Sequence, residues 1–112
     1  MTESDILPVN FTISAVAKQA IERIRQDWDE QFSDPAAVAM IGWGIFNLNS
    51  GQKGENVVVS FYAESQLAEV AHAVQEISGL KVVFFTTPEY YPNFEGKILD
   101  FADDRWFFLR NP

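Results

Sequence analysis

One amphipathic stretch near the start of the chain limits the possible folds more than any other feature. Its apolar residues recur at the three- and four-residue spacing of one helix face, and they are Ala17, Ile21, Ile24 and Trp28. Ser14 precedes the stretch as an N-cap residue, because its hydroxyl can accept a backbone N–H of the first turn. The sequence therefore predicts a long helix that ends near Phe32, before the polar residues 33–35.

After this helix, the pattern changes to apolar runs separated by polar turns. The runs predict strands over residues 37–48, 57–62, 80–85, 97–101 and 105–109, with a further short strand at 11–13. Gly42 and Gly44 in the first run indicate a bulge or a close backbone approach. A capping hydroxyl at Thr87 and a proline at residue 88 predict a short helix, which Pro92 limits to about one turn.

The order of these segments predicts an α+β domain over residues 11–112, preceded by a flexible leader over residues 1–10. We expect mostly antiparallel or mixed, sandwich-like β-sheets, one long N-terminal helix and short helical insertions. The 112 residues are 47% apolar and 14% aromatic, which is enough for one hydrophobic core.

Residues 65–79 fit two secondary structures. The apolar residues recur at the spacing of one helix face, and they are Leu67, Val70, Ala71, Val74 and Ile77. Ser65 is a possible N-cap and Gly79 a possible terminator, so the local pattern favours a helix. The alternative is that residues 74–80 begin a strand that leads into residues 81–85.

Composition excludes several classes of function. The sequence has no cysteine, so disulfides, zinc–thiolate sites and thiol nucleophiles are absent from these residues. A net charge of −8 argues against nucleic acid as a partner. No apolar run approaches the roughly 18 residues of a membrane helix, and no signal peptide is visible. We therefore expect a cytoplasmic protein that binds neither membranes nor nucleic acid.

The only histidine lies in a Glu-x-x-His pair, which is a candidate for metal binding. On a helix, Glu69 and His72 would share a face, and Glu76 would lie one turn beyond His72. Such iron sites need two pairs of this kind, so a solvated helix face is the simpler interpretation. Asp100, Asp103 and Asp104 lack the spacing of a calcium loop, and the last two fit a polar hairpin turn.

No pattern of catalytic residues stands out, and we expect neither an enzyme nor a cofactor. Gly42-Trp43-Gly44 lacks the third glycine and the following helix of a dinucleotide fingerprint. No serine lies in a nucleophile elbow that His72 could serve.

The aromatic residues suggest a contact surface instead. Alternate residues of a strand face opposite sides, so two of the four side chains at 106–109 need a second layer or a partner subunit to cover them. A homo-oligomer would provide that cover. The candidate partner or ligand surface consists of Trp43, Tyr90, Tyr91 and Trp106.

The order of motifs resembles that of the A-type iron–sulfur carriers, the IscA/HesB-like family with an iron–sulfur biosynthesis domain. The segments that carry the resemblance are FTISAVAKQAIERI, MIGWGIFNL, GLKVVFFTTPEYYPNFEGKILDF and WFFLRNP. In this chain, the segments that correspond to elements of the family would be Gly79–Phe85, Pro88–Tyr91, Phe94-Glu95-Gly96, Leu99-Asp100-Phe101 and Phe107–Pro112. The resemblance covers residues 10–112 and implies a HesB-like fold, in which the second half of 65–79 would be a strand.

This chain departs from the family at the cluster ligands. The family has one cysteine near the region 42–47, where this chain has Ile45 and Phe46, and a Cys-x-Cys tail beyond the final Asn-Pro, where this sequence ends at Pro112. No metal ligand of the family can therefore be transferred to a residue here.

Three functions remain open. The first is a non-catalytic, cysteine-free relative of the carriers that acts through contact with an unidentified protein in iron or sulfur metabolism. The second is metal binding through Glu69, His72 and Glu76. The third is binding of a small molecule in an aromatic cleft around Trp43, Tyr90, Tyr91 and Trp106.

Overall fold

The helix predicted from the amphipathic stretch forms with the expected ends. A computed structural model describes residues 7–47, 51, 53–102 and 106–112, and α1 spans Ala15–Gln31. The Ser14 hydroxyl accepts the backbone N–H of Ala17 at 3.1 Å. At the other end, the N–H of Phe32 donates to the carbonyl of Trp28 at 2.9 Å. The predicted N-cap and C-terminus of the helix are confirmed.

The described strands form two mixed sheets. They are β1 (Thr12–Ile13), β2 (Ala36–Asn47), β3 (Lys53–Ala63), β4 (Val74–Ile77), β5 (Leu80–Phe85), β6 (Ile98–Ala102) and β7 (Trp106–Arg110). The three-stranded sheet has the order β1-β6-β7, and the four-stranded sheet has the order β3-β2-β5-β4. The pairs β1–β6 and β2–β5 are parallel, and the other pairs are antiparallel. The α+β class, the mixed sheets and the β2–β3 hairpin are confirmed.

One hydrophobic core joins α1 to both sheets. Ile21 of α1, Ile41 of β2 and Leu99 of β6 are at most 1% exposed. Phe84 of β5 meets the ring of Phe94 edge-on, with ring centroids 4.8 Å apart. None of the helices in the described ranges has the length and apolarity needed to cross a membrane.

The helix favoured for residues 65–79 is wrong in its second half. The helical part is α2 (Leu67–Val70), flanked by 3₁₀ turns at Glu64–Gln66 and Ala71–Ala73, and β4 follows at once. Ser78 and Gly79 have φ angles of 54° and 81°. Positive φ at both central residues defines a type I′ hairpin turn, which pairs Ile77 with Leu80. Burial of Ile77 in the core then outweighs the helical spacing.

The short helix predicted from Pro88 forms later in the chain than expected. The N–H groups of Tyr90 and Tyr91 both donate to the carbonyl of Thr87, which makes a turn there. The helical residues are Tyr91–Asn93, in 3₁₀ geometry. Pro92 fits because it lies in the first turn, where a helix needs no donor from its N–H.

Residues 7–10, the described part of the predicted leader, are hydrogen-bonded to the domain. The side-chain amide of Gln75 on β4 donates to the carbonyl of Leu7 at 2.9 Å and accepts the N–H of Val9 at 3.0 Å. The Tyr91 hydroxyl donates to the carbonyl of Pro8 at 2.7 Å. The amide of Gln75 thus replaces the backbone partner that another strand would supply. Residues 1–6 lie outside the described part of the chain.

Asn56 connects the edges of the two sheets in the same way. It lies on β3, and its side chain accepts the N–H of Val57 at 2.8 Å and donates to the carbonyl of Phe107 on β7 at 3.1 Å. A side-chain amide therefore covers backbone groups at two strand edges that do not form a ladder with each other.

Asp100 ties the start of α1 to the β6–β7 hairpin. Its carboxylate accepts the Ser14 hydroxyl at 2.7 Å, Nε of Arg110 at 2.7 Å and the N–H of Phe101 at 2.9 Å. The bond from Arg110, followed by those from Ser14 and Phe101, lowers the pKa of Asp100 below its ordinary value. This aspartate is therefore a structural anchor with its hydrogen-bonding capacity in use, and not a free cation ligand. Asp103 and Asp104 lie outside the described residues.

We predict that Asp100→Asn lowers the free energy of unfolding at pH 7 by about 1–3 kcal/mol, because Arg110 loses its charged acceptor. The folded-state pKa lies below that of the unfolded chain, so the carboxylate's contribution is complete above the ordinary value of about 3.9. It is lost as the pH falls through the lower folded-state pKa. Urea unfolding at several pH values measures both effects.

Asp27→Asn is the matched control, since Asp27 is exposed on α1 and its replacement removes the same charge. We expect a change within about 0.5 kcal/mol for this variant. Equal effects of the two substitutions, or an Asp100→Asn deficit that does not shrink at low pH, would contradict the anchoring role.

Candidate functional site

One cleft in the described part of the chain lies where the connection from β3 to β4 passes the end of β5. It has a volume of about 510 Å³, which is within the range of ligand-binding pockets. The lining residues come from two segments, and they are Glu69, Val70, His72 and Ala73 of the connection and residues 83–88 of β5 and the following loop. We call this feature the crossover cleft.

Sheet order explains why the cleft exists. β3 and β4 are the two edges of the four-stranded sheet, so residues 64–73 must cross from one edge to the other. Hydrogen bonds fix the start of this crossing. The N–H of Ala63 donates to the side chain of Gln66 at 2.9 Å, and the hydroxyl of Ser65 donates to the carboxylate of Asp34. The cleft lies between the turns that follow and the end of β5.

Phe85 is the most exposed large apolar residue in the described structure. It is 63% exposed, whereas Val83, two residues earlier on the same side of β5, is 1% exposed. Its position at the rim of an apolar cleft makes Phe85 a candidate contact residue. The sequence pattern places Phe85 at the end of the strand predicted over residues 80–85 and does not distinguish it from a core residue.

Gly42 sets how closely β2 approaches this end of β5. A Cβ atom built on Gly42 would lie 2.9 Å from the carbonyl oxygen of Phe85, closer than such atoms come in proteins. Pairing between β2 and β3 continues without a shift through residues 42–44. Of the two predicted roles for the glycines, the close backbone approach is therefore confirmed at Gly42, and the bulge is wrong.

Thr86 contributes an unsatisfied polar group next to the cleft. Its hydroxyl oxygen is buried and has no hydrogen-bond partner in the structure. Buried hydroxyls in proteins are nearly always paired with protein groups or with water.

The three candidate metal ligands do not come together. Glu69 and His72 line the crossover cleft, but Glu76 lies on β4 and lines a separate cleft next to Arg25 and Lys81. The proposed set needed one continuous helix, and β4 breaks that helix after Ala73. Among the described residues, no three His, Cys, Asp or Glu side chains are grouped closely enough to hold a metal ion.

The four candidate aromatic residues are also divided. Trp43 stacks on Tyr90 with ring centroids 6.2 Å apart, and its Nε1 donates to the carboxylate of Glu55 at 2.9 Å. Tyr91 packs instead against Phe84. Trp106, 49% exposed, lies opposite Ala102 at the far end of the β6–β7 hairpin. A single cleft around all four residues is therefore not formed.

No protein-family model matches the chain, and no curated protein sequence has significant similarity to it.

We predict that Gly42→Ala destabilises the protein by about 1–3 kcal/mol, because the new methyl group must push β2 and β5 apart. The amide resonance of Thr86 should move, since its nitrogen is bonded to the Phe85 carbonyl that the methyl group contacts. Urea unfolding and a ¹⁵N–¹H spectrum measure the two effects. Ser60→Ala, an exposed site on neighbouring β3, is the control. Wild-type stability in Gly42→Ala would show that the close approach places no limit on residue 42.

Proposed function

We propose that the chain is a cysteine-free relative of the A-type iron–sulfur carriers that acts by protein contact, as a non-catalytic accessory protein in iron or sulfur metabolism. The order and spacing of the sequence motifs support the relationship, and the α+β domain with its long N-terminal helix is compatible with it. A HesB-like, sandwich-like arrangement of the sheets and a cytoplasmic location are part of this proposal. A chain without cysteine suits a reducing compartment.

The single observation that carries the contact function is the exposed ring of Phe85 at the crossover cleft. Covering a phenylalanine side chain contributes about 1.5–3 kcal/mol, so this residue can dominate a small interface. Val70, which is half-buried, extends the apolar surface into the cleft. A partner that places an apolar side chain there would cover the ring and fill the gap.

The region of the family's first cysteine supports the same proposal. Ile45 lies there, at the end of β2, and it is 53% exposed. An isoleucine cannot ligate iron, but an exposed one can be buried by a partner.

The experiment that tests this function is photo-crosslinking from residue 85 in cells that make the protein naturally. Phe85 is replaced by p-benzoylphenylalanine, which keeps an aromatic ring at the site. We predict a dominant covalent adduct with one protein, identified by mass spectrometry. The same replacement of Gln26, exposed on α1, is the control and should not give this adduct.

A competition experiment tests whether the adduct depends on the surface around Phe85. Excess wild-type chain should suppress the adduct, whereas Phe85→Ser should compete about tenfold to a hundredfold less well. An adduct of twice the mass of the chain would identify the partner as a second copy. Equal labelling from positions 85 and 26, or full competition by Phe85→Ser, would refute contact at this site.

A further inference from the structure

Strand β3 pairs with another strand of the described structure on one side only. It forms one edge of the four-stranded sheet, where it pairs with β2 over its whole length. Residues 56–63 of this edge carry no charged side chain, although the chain has a net charge of −8. Natural sheets commonly protect an exposed edge with lysine or proline, and this segment contains neither.

The register of the sheet determines which backbone groups of β3 face outward. Ile77 and Leu80 flank a two-residue turn and form a hydrogen-bonded pair, so alternation along β5 points the backbone groups of Val83 toward β2. In the parallel pairing of Met40 with Val83, Val83 bonds to the neighbours of Met40, and the backbone groups of Met40 therefore point toward β3. Its partner there is Ser60, whose backbone groups point back toward β2. The odd-numbered residues of β3 thus face the open edge.

Two side-chain amides already close the ends of this edge. The N–H of Val57 donates to the side-chain oxygen of Asn56 at 2.8 Å, and the N–H of Ala63 donates to the side-chain oxygen of Gln66 at 2.9 Å. Both donors belong to odd-numbered residues, which agrees with the outward direction derived from the register. Each amide takes the place of a neighbouring strand at its own end of the edge.

The middle of the edge remains open. Among the described residues, the outward N–H and C=O groups of Val59 and Phe61 have no hydrogen-bond partner. Ser60 between them is exposed. On the core face, Val57 is only 5% exposed, whereas Val59 is only half-buried, so the cover that reaches Val57 does not extend fully to Val59.

The symmetry of this open segment indicates its partner. In an antiparallel pairing about Ser60, Val59 lies opposite Phe61 of a second copy, and Phe61 lies opposite that copy's Val59. Both are hydrogen-bonded pairs, so all four open backbone groups of each copy gain a partner. The two Ser60 residues then form a non-hydrogen-bonded pair, in which the Cα atoms approach to about 4.5 Å and a small side chain fits. The lack of charge over residues 56–63 lets two acidic chains approach at this edge.

We propose that two copies of the chain associate through their β3 strands, which pair antiparallel about a two-fold axis at Ser60. This contact is isologous and joins the two four-stranded sheets into one continuous sheet. Phe85 and Val58 both lie opposite Gly42, so they share a face of the sheet. The dimer therefore presents both crossover clefts on the same face, where a partner with two binding segments can engage them together.

The first test measures the mass and the hydrogen exchange of the full chain over a range of concentrations. We expect sedimentation equilibrium to show a reversible change from monomer to dimer. Exchange of the Val59 and Phe61 amides should slow as the dimer forms, while the Val57 and Ala63 amides, which already have acceptors, should change little. Added salt should strengthen the dimer, because it screens the repulsion between two acidic chains.

A charge exchange at the two-fold axis tests the register. Ser60→Lys and Ser60→Glu should each weaken the dimer about tenfold or more, because two like charges would face each other across the axis. An equimolar mixture of the two variants should restore the dimer, since lysine then faces glutamate. This recovery also shows that both variants are folded. Gln26→Lys makes the same change in charge as Ser60→Lys at an exposed position on α1, and its effect should stay within about twofold.

Several results would overturn the inference. They are a monomer at every concentration up to about 1 mM, a mixture that stays monomeric, equal effects of Gln26→Lys and Ser60→Lys, and a dimer that protects amides elsewhere without protecting Val59 and Phe61. The contact proposed at Phe85 does not depend on any of them, because the cross-link from residue 85 tests it separately.

Discussion

The two-residue turn at Ser78 and Gly79 determines how the second half of the chain is arranged. Both residues have positive φ angles, which glycine adopts freely but serine adopts only at a cost of about 1 kcal/mol. Burial of Ile77 and Leu80 on either side offsets this cost. Nζ of Lys18 on α1 also donates to the carbonyl of Ser78 at 3.2 Å. With this turn in place, residues 74–77 can only run back along β5 as a strand.

The position of β4 then leads to the candidate site. Because β4 lies at the edge opposite β3, the chain between them has to cross the sheet, and the crossing leaves the gap next to Phe85. Gln75 on the same short strand holds the segment that begins at Leu7. One hairpin thus shapes the cleft and fixes residues 7–10, and the pairing of β4 with β5 extends to Val83.

Features with local signals could be predicted from the sequence. Ser14 and the apolar spacing behind it were sufficient for α1, and the polar loop between two apolar runs was sufficient for the β2–β3 hairpin. Residues 74–77 were not predictable as a strand from spacing alone, because Val74 and Ile77 continue the helical spacing of the residues before them. The Ser-Gly pair at 78–79 was the available signal, since small residues between two apolar runs favour a tight hairpin.

Whether the candidate site residues lie close together depends on the strand order more than on local sequence signals. Glu69, His72 and Glu76 formed a set only on a continuous helix, so the error in secondary structure carried over to the site. The aromatic residues have no spacing that distinguishes rings packed in the core, such as Tyr91, from rings at the surface, such as Phe85 and Trp106. Only the sheet order reveals which face of β5 the connection leaves uncovered.

The most direct test of this account is the NMR signature of the β4–β5 hairpin in the ¹⁵N,¹³C-labelled chain. Glu76 and Lys81 form a non-hydrogen-bonded antiparallel pair, in which the Cα atoms approach to about 4.5 Å. We predict a strong nuclear Overhauser effect between their Hα protons and extended-chain Cα shifts over residues 74–77. Helical shifts through residue 77, with i to i+3 contacts in place of the Glu76–Lys81 contact, would contradict the hairpin and with it the crossover cleft.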